Sequence, residues 1–309
     1  MSWDTISTFE VPEHFSRFPA GVAHNAAEVV SALRNVIEVC TEPQTKEHRK
    51  ALTRHSSPAN EPFAICHCTA IPERLVLLSS IIEVAWIHDD ITEEMEHEEA
   101  CSRHELLKGA LQLNHINSLG CPRERSFAKL VRSASALDAK EAPQLIGVLK
   151  NYLDTFDSSK QDFAHMDEYN PYRVGNCGYW ISSYFIRWGM GLTLDAEDLE
   201  KIRDFDYSMG VVLGLTNDYF SWAVEKDQKT DRIRNAVRVL MKQHGLSEQP
   251  AQSLLRGIII DEEERAYHLK GQVLASSPSN NIIEYIKAIE LYVGGSCYWH
   301  ATAPRYKVC

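Results

Sequence analysis

Leu75-Val76-Leu77-Leu78-Ser79-Ser80-Ile81-Ile82-Glu83-Val84-Ala85-Trp86-Ile87-His88-Asp89-Asp90-Ile91-Thr92-Glu93 is the stretch whose reading decides the fold. Residues 75–87 are apolar on nearly every helical face, which places such a helix at the centre of a bundle. The run contains Glu83 and is too short to span a bilayer. It ends in acids where a soluble helix would carry more leucine. Carboxylates are rarely buried unless paired or bound to metal. A helix advances about 100° per residue, so Asp89 and Glu93 share a face and Asp90 stands beside them.

A second segment has the same construction. Residues 209–215 are apolar all round, with Gly210 and Gly214 at i and i+4 permitting close helix packing. Asn217, Ser221 and Glu225 follow at i, i+4 and i+8, in a nearly straight column. An amide, a hydroxyl and a carboxylate make an all-oxygen set, which suits a hard cation such as Mg²⁺. Zinc or iron would require His or Cys in the column, and neither segment offers one there. The two acidic segments are expected to face each other across the mouth of one central apolar cavity.

Working outward, helical periodicity covers residues 22–40, 73–96, 106–116, 127–137, 142–156, 166–190, 196–226, 232–244, 249–274 and 282–300. Breaks fall at Gly120-Cys121-Pro122, Ser158-Ser159-Lys160, Gly245 and the Ser/Pro/Asn run 276–280. No linker or internal repeat divides the chain. The expectation is a single all-α domain over residues 1–309, a bundle of roughly ten helices. Hydrophobic content is 44% and charged content 24% over 309 residues, enough for a sizeable core. A net charge of −11 argues against a nucleic-acid partner, which would demand a basic surface. It leaves room for a small anion wherever bound cations reverse the local sign. The eight cysteines form no regular framework, and Met1-Ser2-Trp3-Asp4 does not open a signal peptide. Reduced thiols in a cytoplasmic protein, not inserted in a membrane, are the expectation.

These residues resemble the class I terpene cyclases. That family carries a DDxx(D/E) motif, matched by Asp89-Asp90-Ile91-Thr92-Glu93, and an N-D-x-x-S-x-x-x-E triad, complete as Asn217, Ser221 and Glu225. Arg173, within Tyr169-Asn170-Pro171-Tyr172-Arg173-Val174-Gly175-Asn176-Cys177-Gly178, looks like its pyrophosphate-sensing arginine. Arg305-Tyr306 looks like its C-terminal RY pair. The likeness extends to the cyclase domains of fungal bifunctional (chimeric) di- and sesterterpene synthases, in which a prenyltransferase domain follows. Here the chain ends three residues after Tyr306, as an excised domain or a stand-alone relative would.

The resemblance implies the class I terpenoid synthase fold and three Mg²⁺ ions. Asp89, with Asp90 or Glu93, would hold them on one wall, and Asn217, Ser221 and Glu225 on the other. It further implies that Arg173, Lys226, Arg305 and Tyr306 bind diphosphate oxygens. Glu93 departs from the commoner aspartate, and its longer arm would move that ligand back. The implied reaction is ionisation and cyclisation of an all-trans prenyl diphosphate, with geranylgeranyl diphosphate favoured over the C25 geranylfarnesyl and C15 homologues. A carbocation is stabilised by aromatic faces, and Trp86, Trp180, Phe220 and Trp299 are the candidates. The expected partners are the prenyl diphosphate, a prenyltransferase fused to the chain or supplying it separately, and a second copy in a homodimer. A chain-elongating synthase would carry two aspartate-rich motifs, which the Asn-Ser-Glu triad opposes. A non-catalytic protein that sequesters prenyl diphosphates is the rival from another class.

Overall fold

The computed structural model describes residues 2–93, 95–112, 120–155, 161–227 and 234–306. A short antiparallel pair, β1 (Trp3–Ile6) and β2 (Ala20–Ala23), aligns Trp3 with Ala23. The first half of the bundle is α1 (Ala26–Cys40), α2 (Lys46–Arg54), α3 (Pro62–Cys66), α4 (Pro72–Thr92), α5 (His97–Gly109), α6 (Pro122–Leu137) and α7 (Ala142–Thr155). The second is α8 (Met166–Asn176), α9 (Tyr179–Met190), α10 (Ala196–Glu225), α11 (Ala236–His244), α12 (Glu248–Ala275) and α13 (Asn280–Thr302). A single 3₁₀ turn, Pro304–Tyr306, follows α13.

The all-α expectation holds, with thirteen α-helices among the described residues instead of roughly ten. The short α2 and α3 carry too few apolar positions to show a long-range period. The run read as 166–190 is two helices, because Gly178 adopts φ +74° between α8 and α9. Only glycine enters that region at no steric cost. The run read from residue 22 begins in β2, where backbone pairing with β1 overrides the helical pattern. The expected break at 158–160, and the end of the run read as 106–116, lie outside the described residues.

Helix α4 starts with Pro72 in its first turn, where the missing N–H costs nothing. Leu75, Leu78, Ile81, Val84 and Ile87 are all fully buried, as an all-round apolar helix requires. It belongs to a core shared with α1, α6, α7 and α9. Helix α10 runs through the other core, against α8, α11, α12 and α13. Gly210 and Gly214 are buried where α8 and the start of α9 cross α10. A Cβ at Gly210 would stand 2.8 Å from the Tyr179 ring, and one at Gly214 3.0 Å from Arg173 Cγ. The glycine pair read from the sequence therefore sets how deeply Arg173 sits.

Candidate active site

A cavity of about 560 Å³ opens between the C-terminal halves of α4 and α10. Asp89, Asp90 and Glu93 lie on one wall, and Asn217, Ser221 and Glu225 on the other. Arg173, Arg305 and Tyr306 reach the same space from α8 and the C-terminal turn. The motifs read from four separate parts of the chain thus meet in one site.

The Asn217 column is held from behind. Arg173 Nη2 donates to Asn217 Oδ1 at 2.6 Å, and Asn217 Nδ2 meets His300 Nε2 at 3.1 Å. His300 Nδ1 donates to the Ser296 carbonyl at 2.7 Å, which leaves Nε2 as the acceptor. Burial pushes the His300 pKa down to about 4, so the ring is neutral and suited to that role. Both ends of the amide are thereby fixed. Asn235, absent from the sequence-based site, orients the other two positions. Its Nδ2 donates to Ser221 Oγ at 3.4 Å and Glu225 Oε2 at 3.1 Å, while its Oδ1 caps α11 through Val237 N–H at 2.9 Å. Its only signal in the sequence is its place ahead of an amphipathic run.

Asp218 is a second residue that motif reading passed over. It is fully buried on α10 and accepts from Tyr169 Oη at 2.6 Å and from the Ala236 N–H at 3.0 Å. Arg173 Nη2 lies 2.8 Å from its other oxygen. Burial pushes the Asp218 carboxyl up to about 6, with Arg173 opposing the rise. Burial also works against the Arg173 charge, but the Asp218 carboxylate outweighs it and holds the guanidinium protonated. Asp218 thus anchors Arg173 to α10 while that arginine also reaches Asn217 and, at 2.7 Å, Asn176.

The Asp89 wall divides its labour. Asp89 is partly exposed to the cavity. Asp90, expected beside it as a metal ligand, is instead committed to α2: one oxygen accepts from Arg54 Nη1, and the other lies 3.3 Å from Lys50 Nζ. One residue on from Asp89 is 100° around the helix, which turns Asp90 toward α2. Glu93 accepts from Lys50 at 3.1 Å. Arg54 continues inward to Glu83 at 2.8 Å, Glu83 takes a hydrogen bond from His55 at 2.8 Å, and His55 meets Glu61 at 2.9 Å. Burial alone would raise the Glu83 carboxyl, but Arg54 and His55 prevail and hold it below its ordinary range. Charges of alternating sign thus clamp α2 and α3 to α4 beneath the acidic motif.

Three expected residues lie elsewhere. Trp180 is 42% exposed and borders a separate shallow depression with Gly147 and Tyr152. Counting seven residues from Arg173 assumed one helix, and the break at Gly178 resets the phase. Phe220 stands behind the cavity wall, stacked between Phe15 and His300 with centroids 5.9 and 5.8 Å away. Lys226 Nζ meets Glu248 at 2.8 Å on the surface. Nine residues from Asn217 is half a turn out of phase, so it faces away. Trp86 and Trp299 do line the cavity, 6.4 Å apart between centroids, with Phe63 packed 4.7 Å from Trp86. Phe63 sits in the five-residue α3, too short to carry a periodic signal.

A family profile described as "Terpene synthase family 2, C-terminal metal binding" matches residues 80–265, which includes both acidic segments and Arg173. The chain belongs to this terpene synthase family. Conidiogenone synthase of Penicillium roqueforti (strain FM164) is 31% identical over 264 residues, covering 79% of this chain and 35% of that protein. Cyclopiane-type diterpene synthase of Penicillium chrysogenum is 28% identical, covering 79% of this chain and 34% of its own length. The chain spans about a third of the length of these curated relatives. Among solved structures, aristolochene synthase from Penicillium roqueforti superposes with a TM-score of 0.79 at 18% identity, covering 94% of this chain and 99% of that one. A hedycaryol synthase in complex with nerolidol gives 0.70 at 17% identity, covering 94% and 100%. The fold is therefore that of class I terpene synthases.

Among the described residues no three His, Cys, Asp or Glu side chains form a metal cluster. The seven described cysteines are free thiols, and no described helix is long and apolar enough to cross a membrane.

Proposed function

We propose that this chain is a Mg²⁺-dependent terpene cyclase. It ionises an all-trans prenyl diphosphate, with geranylgeranyl diphosphate favoured, and cyclises the chain with release of diphosphate. One observation carries the reading. Asp89 on α4 and the Asn217/Ser221/Glu225 column on α10 face a single cavity whose other walls hold Arg173, Arg305 and two tryptophans.

The donor set fits magnesium. It is all oxygen, and Asn217 Oδ1 keeps a second lone pair while Arg173 uses the first. Asp89, Asn217, Ser221 and Glu225 would hold the ions, three by family resemblance. When bound, they supply Lewis acidity at the leaving diphosphate oxygen. The protein's own part is positional and electrostatic. Arg173 and Arg305 offer planar donor forks matched to diphosphate oxygens, and Tyr306 adds a hydroxyl. The C1–O bond breaks with its electron pair leaving on diphosphate. The allylic cation left behind meets the faces of Trp86, Trp299 and Phe63, which attract a cation without donating a lone pair. The apolar walls keep out the water that would quench it. Where the cascade ends in proton loss, the departing diphosphate can accept that proton. The substrate comes from a chain-elongating prenyltransferase, on this polypeptide or another.

The test is incubation of purified protein with Mg²⁺ and each all-trans prenyl diphosphate from C10 to C25, read by gas chromatography–mass spectrometry. Cyclic hydrocarbons or alcohols from the C20 substrate are expected. A C25 preference would replace the substrate assignment, and intact substrate throughout would remove the cyclase reading. Asn217→Ala should abolish most turnover without unfolding the chain; near-normal rates would take the ligand role from Asn217.

A further inference from the structure

We infer that α2 supplies a cationic subsite for the diphosphate group. Lys50 would be its direct contact, Lys46 would assist at the mouth, and Arg54 would position Lys50 from below. This rests on the proposed prenyl diphosphate substrate and adds a recognition element outside the four motifs.

Lys46, Lys50 and Arg54 stand at i, i+4 and i+8, one column on one face of α2. All three line the cavity that holds Asp89, Arg173 and Arg305. Among the described residues that cavity has six Lys or Arg side chains in its lining, and α2 contributes half of them. Three cations on one short helix repel one another unless anions intervene. Arg54, at the buried end, is committed to Glu83 and Asp90. Lys50 is 23% exposed and bridges Asp90 and Glu93 at 3.3 and 3.1 Å.

A second observation is independent of the column. The α2 face packs against the C-terminal 3₁₀ turn, so Lys50 and Arg305 lie close enough to repel each other, and the acids Asp90 and Glu93 act on both. Two cations from opposite ends of the chain thus converge at the mouth, the arrangement a polyanion rewards. Lys226, the lysine that motif reading assigned to this role, faces Glu248 on the surface. An ammonium is a compact charge on a flexible stem, so Lys50 can reach diphosphate by giving up the outer of its two carboxylates, Glu93.

The experiment is calorimetric titration of the full chain with inorganic pyrophosphate at saturating Mg²⁺, for the parent, Lys50→Met, Lys50→Arg and Lys226→Met. Loss of one charge-assisted hydrogen bond corresponds to about tenfold or more in affinity. Lys50→Met should bind pyrophosphate at least about tenfold more weakly, Lys50→Arg should recover most of the loss, and Lys226→Met should stay within about twofold of the parent. Unchanged affinity in Lys50→Met would overturn the subsite, as would an equal loss in Lys226→Met. Thermal melts of each variant separate lost binding from lost folding. If Lys50→Met melts early, Lys50→Gln and Lys46→Met in the same titration decide, and parent-like affinity in both overturns the proposal. Failure of the cyclase reading is distinct: it would show as absent turnover in the parent, while the lysine-dependent pyrophosphate difference would still support the α2 subsite.

Discussion

Replacing Asn235 with serine separates two jobs that one side chain performs. Asn235 is 1% exposed. Its Oδ1 caps α11, and its Nδ2 donates to the Asp218 carbonyl at 3.0 Å as well as to Ser221 and Glu225. Serine caps a helix about as well as asparagine but is too short to donate across to α10. The variant therefore keeps the cap and loses the three donations. A neutral hydrogen bond contributes about 0.5–1.5 kcal/mol net and one to a charged group about 1.5–3. With the longest of the three contacts discounted, the loss in stability should be about 2–4 kcal/mol. The functional effect should be larger in relative terms. Residues that orient metal ligands typically govern about 10–100-fold in metal affinity, and here the donor fixes two of the three column members.

The assay is a Mg²⁺ titration of prenyl diphosphate turnover at saturating substrate, beside urea denaturation without metal. Asn235→Ser should raise half-saturating Mg²⁺ by at least about tenfold. Asn235→Ala should raise it by the same factor while losing about 1 kcal/mol more stability, the worth of the cap. A half-saturating concentration within about twofold of the parent, with the stability loss as expected, would refute the reasoning. Asn235 would then act only on folding.

Three further outcomes test the surrounding structure. Burial opposes the charge on His55, but Glu83 and Glu61 raise its pKa from 6.5 to about 9. A folded-state pKa above the unfolded one contributes stability that is complete below about pH 6.5 and fades as pH rises through 9, on the order of 3 kcal/mol. The denaturation midpoint should fall over that window and His55→Gln should flatten the fall; parallel profiles for the two proteins would contradict the assignment. Gly210→Ala should destabilise by about 1–3 kcal/mol through the Tyr179 contact, although helix propensity alone would stabilise by about 1 kcal/mol; a rise in midpoint would overturn the close-approach account. Trp299→Leu should redistribute the cyclic products more than it slows substrate consumption, and an unchanged product profile would return Trp299 to ordinary packing.

What could be read in the sequence was what is periodic and local. The two all-round apolar helices, the column at 217, 221 and 225, and the ends of α10 and α13 follow from helical spacing alone, and the structure keeps that spacing because α4, α10 and α13 each run unbroken through it. The errors arise where phase is lost or partners are distant. Trp180 was placed by counting through a helix that Gly178 divides. Lys226 was carried over by adjacency to Glu225, although one residue is 100° of rotation. Lys50, Arg54 and Phe63 escape the reading because α2 is short and mostly polar and α3 has only five residues. Arg54 meets acids 29 and 36 residues away, which no local pattern encodes.

The acidic motif on α4 illustrates why a motif letter is not a ligand. Asp89 and Asp90 are chemically identical and adjacent, yet the pairing of Asp90 with Arg54 and Lys50 depends wholly on α2, outside the motif. Ionised and buried, Asp90 would cost several kcal/mol if left unpaired, so its cations and the motif are mutually required. A metal ion competing for Asp90 would have to displace Arg54, itself buried and tied to Glu83. Asp89 stands partly exposed at the cavity. Glu93 is intermediate, partly exposed and bridged by the Lys50 ammonium. The availability of Asp90 to a cation is therefore set by α2, since freeing it would break the ladder that fixes α4.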